Sequence, residues 1–143
     1  MTKVVYVPLD DRPCNYHYPL LLSAITHNFE MVAPPFELMG QCKKAADTDA
    51  IWEWLFEECK TAGYAILSVD TLVYGNIINS RIHKRSIEEI DRYLNNFGKL
   101  KRINPSLKIE AFNLVTRVSA YNSSYEDPDY WSLYGHQIWK YGW

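Results

Sequence analysis

The residues best suited to chemistry follow directly after apolar stretches of the chain. Asp10, Asp11 and Arg12 come right after the apolar run Val4–Val7. In a parallel α/β domain the carboxyl end of a strand opens onto the binding crevice, where packing alone does not select charges. Carboxylates can transfer protons, and a planar guanidinium can bind a carboxylate or phosphate through paired hydrogen bonds. The sequence therefore predicts a ligand site here and leaves its reaction open.

A second charged residue ends another apolar run. Asp70 follows Tyr64–Val69, and we predict it to be a general acid or base. Its predicted partner is Asp10 or Asp11, since two carboxylates roughly 5 to 9.5 Å apart fit glycoside cleavage. The residues predicted to bind the substrate are Arg12, Asn15, Tyr74, Ser80, Arg81, Arg117, Tyr121 and Asn122.

Several of these residues have an equally valid structural interpretation. Neighbouring side chains of an extended backbone point to opposite sides. One of Asp10 and Asp11 can therefore reach the crevice while the other caps a turn or pairs with Arg12. Arg12 itself can bind an anion or pair with Asp70. The sequence leaves both alternatives open.

The chain lacks the spacings of several familiar sites. Cys14, Cys42 and Cys59 form no C-x-x-C pair, which argues against a disulfide framework and a zinc site. The four histidines show no H-E-x-x-H spacing, and the six glycines form no phosphate-binding loop. We therefore predict no metal and no cofactor.

The charge balance and hydropathy of the chain limit the classes of partner that it can bind. Fifteen basic residues against seventeen acidic ones, with no basic stripe, argue against nucleic-acid binding. No apolar run approaches the ~20 residues of a membrane span. Without a signal-peptide pattern or paired cysteines, we expect a cytoplasmic protein whose partner is a small molecule.

The elements that must position these residues alternate along the chain. Four apolar runs are predicted to be buried parallel strands: Val4–Val7, Phe29–Ala33, Tyr64–Val69 and Ile109–Val115. Helices are predicted at about 16–26, at about 49–62, and from a capping box at Ser86 to Asn104. This alternation predicts one α/β domain over residues 1–143, a four-stranded, largely parallel sheet with helices on both faces. Half of a (β/α)₈ barrel is the alternative, because alternation alone does not separate the two.

Residues 121–143 are rich in aromatic side chains, and Asp127-Pro128-Asp129 is typical of a helix start. We expect the helix that follows to pack on the sheet. Large aromatic side chains near a terminus also fit cover by a partner or by further sequence. A homo-oligomer formed through this aromatic segment is therefore the alternative.

The motifs together resemble a bacterial family known only as domain of unknown function 4127. Its V-P-L-D-[DE]-R-P-x-N motif is similar to residues 7–15, and two later blocks are similar to residues 68–81 and 117–135. Asn76 stands where a second glycine is usual, and Cys14 where a small apolar residue is usual. Because family members are longer, the resemblance implies the N-terminal portion of a longer architecture. It implies no activity.

Three functions remain as hypotheses. The first is a hydrolase that acts on a polar, sugar-like or anionic small molecule. The second is a non-catalytic module that binds an anionic metabolite. The third is an interaction fragment that docks through its aromatic C-terminal helix. Carboxylates outnumber nearby nucleophiles, which favours the first. Two carboxylates facing one cavity would distinguish the first from the second.

Overall fold

A computed structural model describes residues 1–142, which form one parallel sheet and its covering helices. The strands are β1 (Thr2–Val7), β2 (Phe29–Val32), β3 (Tyr64–Ser68) and β4 (Lys108–Phe112). The helices are α1 (His17–Ser23), α2 (Thr48–Glu58), α3 (Val69–Tyr74), α4 (Asn79–Ile82), α5 (Ile87–Ile103) and α6 (Trp131–Gly142), with a 3₁₀ turn at Phe36–Met39. Trp143, the last residue of the aromatic segment, lies outside the described residues.

The four strands are parallel and lie in the order β2-β1-β3-β4. Val5 of β1 pairs in register with Val32 on one side and with Ala65 on the other. The predicted α/β architecture with a parallel sheet is thus confirmed. β1 separates β2 from β3, as in open doubly wound sheets, whereas consecutive strands of a (β/α)₈ barrel lie side by side. The winding reverses between β1 and β3, and such a reversal opens a crevice at the carboxyl ends of the two strands.

The strand patterns explain which face is buried. Val5 and Val7 are fully buried in the core, whereas Tyr6, on the other face of β1, is only partly buried. Helices α2 and α5 cover the Val5 face, where the Trp52 ring meets the Phe97 ring edge-on with centroids 5.1 Å apart. Since crossovers are right-handed, the reversed winding places α1 on the opposite face.

Helix starts follow the predicted signals. The capping box at Ser86 is present, with the Ser86 hydroxyl accepting from the Glu89 N–H and the Glu89 carboxylate accepting from the Ser86 N–H. The Asp47 carboxylate likewise accepts a hydrogen bond from the Ala50 N–H at 3.0 Å. Such caps satisfy backbone donors that have no partner inside the helix, which fixes where each helix begins.

Three strands, β2, β3 and β4, end earlier than the sequence indicated. Side-chain hydrogen bonds explain the ends of β3 and β4. The Ser68 hydroxyl accepts from the Thr71 N–H at 3.2 Å and caps α3, so the chain turns into a helix at Val69. Asp70 therefore lies in the first turn of a short helix, and its predicted place at the end of a strand is wrong. After β4, the Leu114 N–H binds the Asp70 carboxylate at 3.0 Å instead of extending the ladder.

The aromatic C-terminal segment becomes helical only at Trp131. Of α6, Trp131 and Gly135 are buried, whereas Leu133, Tyr134 and Tyr141 are exposed. No helix in the described part of the chain is long and apolar enough to cross a membrane.

The three thiols should differ sharply in reactivity. Cys59 is fully buried beside α2, and burial raises the pKa of its thiol from 9.0 to about 12. Cys14 and Cys42 are exposed. Because the thiolate is the reacting species, we expect iodoacetamide at about pH 8 to modify Cys14 and Cys42 in the native protein. Cys59 should react only after denaturation in urea, as read by peptide mass spectrometry. Modification of native Cys59 as fast as Cys14 would contradict this packing.

Candidate functional site

Two adjoining cavities lie beyond the carboxyl ends of β1 and β3. The Asp11 cavity, of about 460 Å³, is lined by Asp10, Asp11, Arg12, Cys42, Asn76, Ile77, Ile78, Arg81, Leu114, Val115, Thr116, Arg117 and Glu126. The Asp70 cavity, of about 360 Å³, is lined by Asp70, Tyr74, Ser80, Arg81, Asn113, Leu114, Thr116, Arg117, Val118, Asp127, Pro128, Tyr130 and Trp131. They share a wall formed by Arg81, Leu114, Thr116 and Arg117.

The loop after β1 is held to α3 by one hydroxyl. The Thr71 Oγ1 lies 2.6 Å from the Pro8 carbonyl oxygen and 2.8 Å from that of Leu9, and all of Thr71 is buried. This contact joins the segments that carry Asp10 and Asp70 at the reversal of the sheet. Thr71 was not predicted from the sequence, because a threonine inside an apolar stretch carries no distinguishing pattern.

The buried Asp10 carboxylate stabilises its own loop through hydrogen bonds. Its carboxylate accepts hydrogen bonds from the Arg12 N–H at 3.1 Å, the Arg12 Nε–H at 2.8 Å and the Asn15 amide at 2.7 Å. Arg12 also approaches it through Nη2 at 2.6 Å. Hydrogen bonding to Asp10 raises the pKa of Arg12 further, so the guanidinium stays charged. Arg12 and Asn15 thus both contact Asp10, and the partner of Arg12 is Asp10 and not Asp70.

Asp11 differs from its neighbour because its carboxylate is half-buried and lines the cavity. Within residues 1–142 that carboxylate accepts no hydrogen bond and forms no ion pair. Glu126, from the loop before α6, lines the same cavity. Its carboxylate likewise accepts no hydrogen bond and forms no ion pair within residues 1–142. Glu126 was not predicted from the sequence, since it follows no strand and only the C-terminal loop brings it to the cavity.

Asp70 is almost completely buried and lines the second cavity. One of its carboxylate oxygens accepts the hydrogen bond from Leu114, which ties α3 to the chain after β4. Asp10 and Asp11 line the first cavity and Asp70 the second, so the three predicted catalytic carboxylates do not line one common cavity.

Arg81 lies in the shared wall, where it forms a buried ion pair with Asp127. The other oxygen of Asp127 accepts from the Ser119 hydroxyl at 2.9 Å. Arg81, which was predicted to bind substrate, lines both cavities, and its charge is balanced by Asp127. Asp127 entered the sequence analysis only as part of a helix start, and no local pattern indicated its distant partner.

Arg117 is the other arginine of the shared wall, and its environment is different. Its side chain is exposed and lines both cavities. It forms no ion pair with any residue that the structure describes. Its guanidinium can therefore face a ligand from either cavity.

The remaining predicted residues divide between the crevice and α6. Tyr74 and Ser80 line the Asp70 cavity, and the Tyr74 ring lies on His83 with centroids 4.5 Å apart. Burial, followed by the charge of Arg85, lowers the pKa of His83, so this ring is neutral at neutral pH. By contrast, the Asn122 side-chain oxygen accepts a hydrogen bond from the backbone N–H of His136 at 2.8 Å, so Asn122 contacts α6.

Tyr121 is half exposed, and its carbonyl oxygen lies close to Gly135 of α6. It therefore borders the helix and is absent from the lining of the two cavities described above. Asn76 is buried, and its side-chain amide donates to the Cys42 carbonyl at 2.9 Å. Its amide oxygen accepts from the Asn79 N–H at 2.8 Å, so Asn76 joins the start of α4 to the segment around Cys42.

Among the described residues, no group of three or more histidine, cysteine, aspartate or glutamate side chains is arranged to hold a metal ion. The crevice presents carboxylates, guanidinium groups, hydroxyls and aromatic rings. Such groups can bind anions, accept hydrogen bonds and transfer protons.

Comparison with known proteins supports the resemblance seen in the motifs. A family model described as "Protein of unknown function (DUF4127)" matches residues 4–143. No curated protein and no solved structure shows significant similarity to the chain.

Proposed function

The chain belongs to the DUF4127 family, and on the properties of its own residues we propose that it binds a small polar molecule through a carboxylate or phosphate group at Arg117. The family description names no activity, so the proposal rests on the crevice. One observation carries it: Arg117 lines both cavities and has no ion-pair partner within residues 1–142.

The charges around Arg117 support this choice. Arg12 is paired with Asp10 and Arg81 with Asp127, so two of the three crevice arginines are already balanced. A carboxylate or phosphate can accept two parallel hydrogen bonds from a guanidinium, which makes an unpaired arginine in a crevice a suitable anion site. The crevice also lies where ligands bind in doubly wound sheets.

Hydrolysis of a polar, sugar-like molecule is the second candidate, and Asp11 favours it. Its carboxylate lines the cavity next to Arg117 and accepts no hydrogen bond from the described residues. Such a group can take a proton from an attacking water if the ligand lies between it and Arg117. Glu126 lines the same cavity and would be the matching acid. Asp70 would act from the adjoining cavity.

Calorimetric titration of the full chain tests anion binding. The probes are D-glucuronate, glucose 6-phosphate and inorganic phosphate, with neutral D-glucose as the uncharged comparison, all at equal ionic strength. We expect at least one anion to bind and D-glucose to bind more weakly. Arg117→Ala should weaken anion binding roughly 10- to 100-fold, because hydrogen bonds to charged groups contribute about 1.5 to 3 kcal/mol.

Arg102→Ala is the matched control. Arg102 lies on the exposed surface of α5, and its replacement removes the same charge as Arg117→Ala. Absence of anion binding, or an equal loss in the two variants, would overturn the proposal. For the hydrolytic candidate, nitrophenyl glycosides are incubated with the wild type and with Asp11→Asn. Release of nitrophenol by the wild type and its loss in the variant would support hydrolysis. No release by the wild type would contradict hydrolysis and leave anion binding as the proposed function.

A further inference from the structure

We infer that the Asp70 cavity is a subsite for a hydroxylated ring, so that the molecule bound at Arg117 is a pyranose with an anionic substituent. This inference rests on the proposed function and names its ligand class. It follows from three features of the cavity: its aromatic walls, its polar groups and its distribution of charge.

The aromatic walls are held in place by other contacts. The Tyr74 ring rests on His83, and the Tyr130 and Trp131 rings are 6.0 Å apart at an interplanar angle of 59°. Trp131 is buried against Gly135, where a β-carbon would come within 2.8 Å of the Tyr121 carbonyl oxygen. Aromatic faces in a cavity pack well against the C–H faces of a sugar ring, and rigid walls keep that surface available.

The polar groups of the cavity suit hydroxyls. Asp70 is only 4% exposed, and one of its oxygens is occupied by the Leu114 N–H. Its place in the first turn of α3 is fixed by the Ser68 cap. Ser80 and Asn113 line the same cavity. Carboxylate, hydroxyl and amide groups together accept from and donate to several neighbouring hydroxyls.

The charge distribution orients the ligand. Arg81 and Asp127 balance each other in the wall, which leaves Asp70 and Arg117 as the charges that face a ligand. An anionic substituent next to Asp70 would be repelled, so it belongs at Arg117 and the ring hydroxyls at Asp70.

The volume of the cavity completes the assignment. About 360 Å³ is near the lower end of ligand pockets, roughly 300 to 1,000 Å³, and suits one ring.

The test compares anions with and without a ring. The full chain is titrated with D-glucuronate, D-galacturonate, glucose 6-phosphate and ring-free succinate at equal ionic strength. We expect the tightest sugar anion to bind at least ~10-fold more strongly than succinate, which corresponds to about 1.4 kcal/mol. Tyr130→Ala should remove this preference and leave succinate binding unchanged. Asp70→Asn should also remove the preference, with tighter binding of succinate because the repulsion by Asp70 is lost. Arg117→Ala should weaken both classes.

Tyr130 is half exposed, so Tyr130→Ala still decides the question if Asp70→Asn fails to fold. Tyr141→Ala is the control, because Tyr141 is exposed in the same aromatic segment and should change nothing. Equal binding of succinate and the sugar anions would overturn the ring subsite while anion binding at Arg117 stands. Absence of all anion binding would overturn the proposed function and this inference together.

Discussion

Replacement of Asp127 by alanine should lower the free energy of unfolding by about 3 to 5 kcal/mol, the usual cost of removing one partner of a buried ion pair. The Arg81 side chain is 12% exposed and that of Asp127 is 6% exposed. Without Asp127, the Arg81 guanidinium would stay buried without a counter-charge, and the Ser119 hydroxyl would lose its acceptor. Urea denaturation followed by circular dichroism measures the loss.

The control is a carboxylate–cation pair that is exposed to water. Glu57 and Lys60 pair on the surface of α2 and the turn after it, at 2.7 Å. Glu57→Ala should cost no more than about 1 kcal/mol, since exposed ion pairs contribute little. The double variant of Arg81→Ala with Asp127→Ala should lose less than the sum of the two single losses. If Asp127→Ala were as mild as Glu57→Ala, the pair would not anchor the C-terminal loop over the crevice.

A second large loss of stability is expected for Gly75→Ala, at about 2 to 5 kcal/mol. Gly75 ends α3 with a φ of 101°, a conformation in which a side chain is strained. A β-carbon there would lie 2.7 Å from the Cβ of Ala45 and 3.0 Å from the Ala46 nitrogen. The strain of the backbone, roughly 1 to 2 kcal/mol, and overpacking, roughly 1 to 3 kcal/mol, therefore act together.

Gly98→Ala is the matched control, with the opposite sign. Gly98 lies inside α5, and a β-carbon there would meet only an Arg102 nitrogen at 3.7 Å. This change should stabilise the protein by about 0.5 to 1 kcal/mol, because alanine favours a helix interior over glycine. Thermal unfolding of both variants separates the effects. If Gly75→Ala left the stability unchanged, the turn at Gly75 would not pack as closely against Ala45 as the structure shows.

Local patterns predicted the secondary structure well. The apolar run before Asp10 became β1, and the capping box at Ser86 begins α5. These features depend on residues only a few positions apart, so spacing along the chain encodes them. The same analysis placed Asp70 at the end of a strand, because it did not recognise Ser68 as the cap of a short helix.

Side chains distant in sequence decided the character of the site. Arg81 and Asp127 are 46 residues apart, and nothing in the local sequence of either one indicates the other. The sequence likewise left open whether Arg12 binds a ligand, and the structure pairs it with the adjacent Asp10. Arg117 became the candidate anion site only once the partners of the other two arginines were known.

By itself the sequence determined the strand–helix alternation, the parallel sheet and the expectation that charged loops gather at one edge of it. These follow from hydrophobic periodicity and from the handedness of crossovers, both of which are properties of short segments. Only the tertiary structure decided that β1 lies between β2 and β3, and that Asp11 and Asp70 line different cavities with Arg117 in their shared wall. Strand order and long-range ion pairs depend on how the segments pack against one another, and packing between distant segments leaves no periodic trace in the chain.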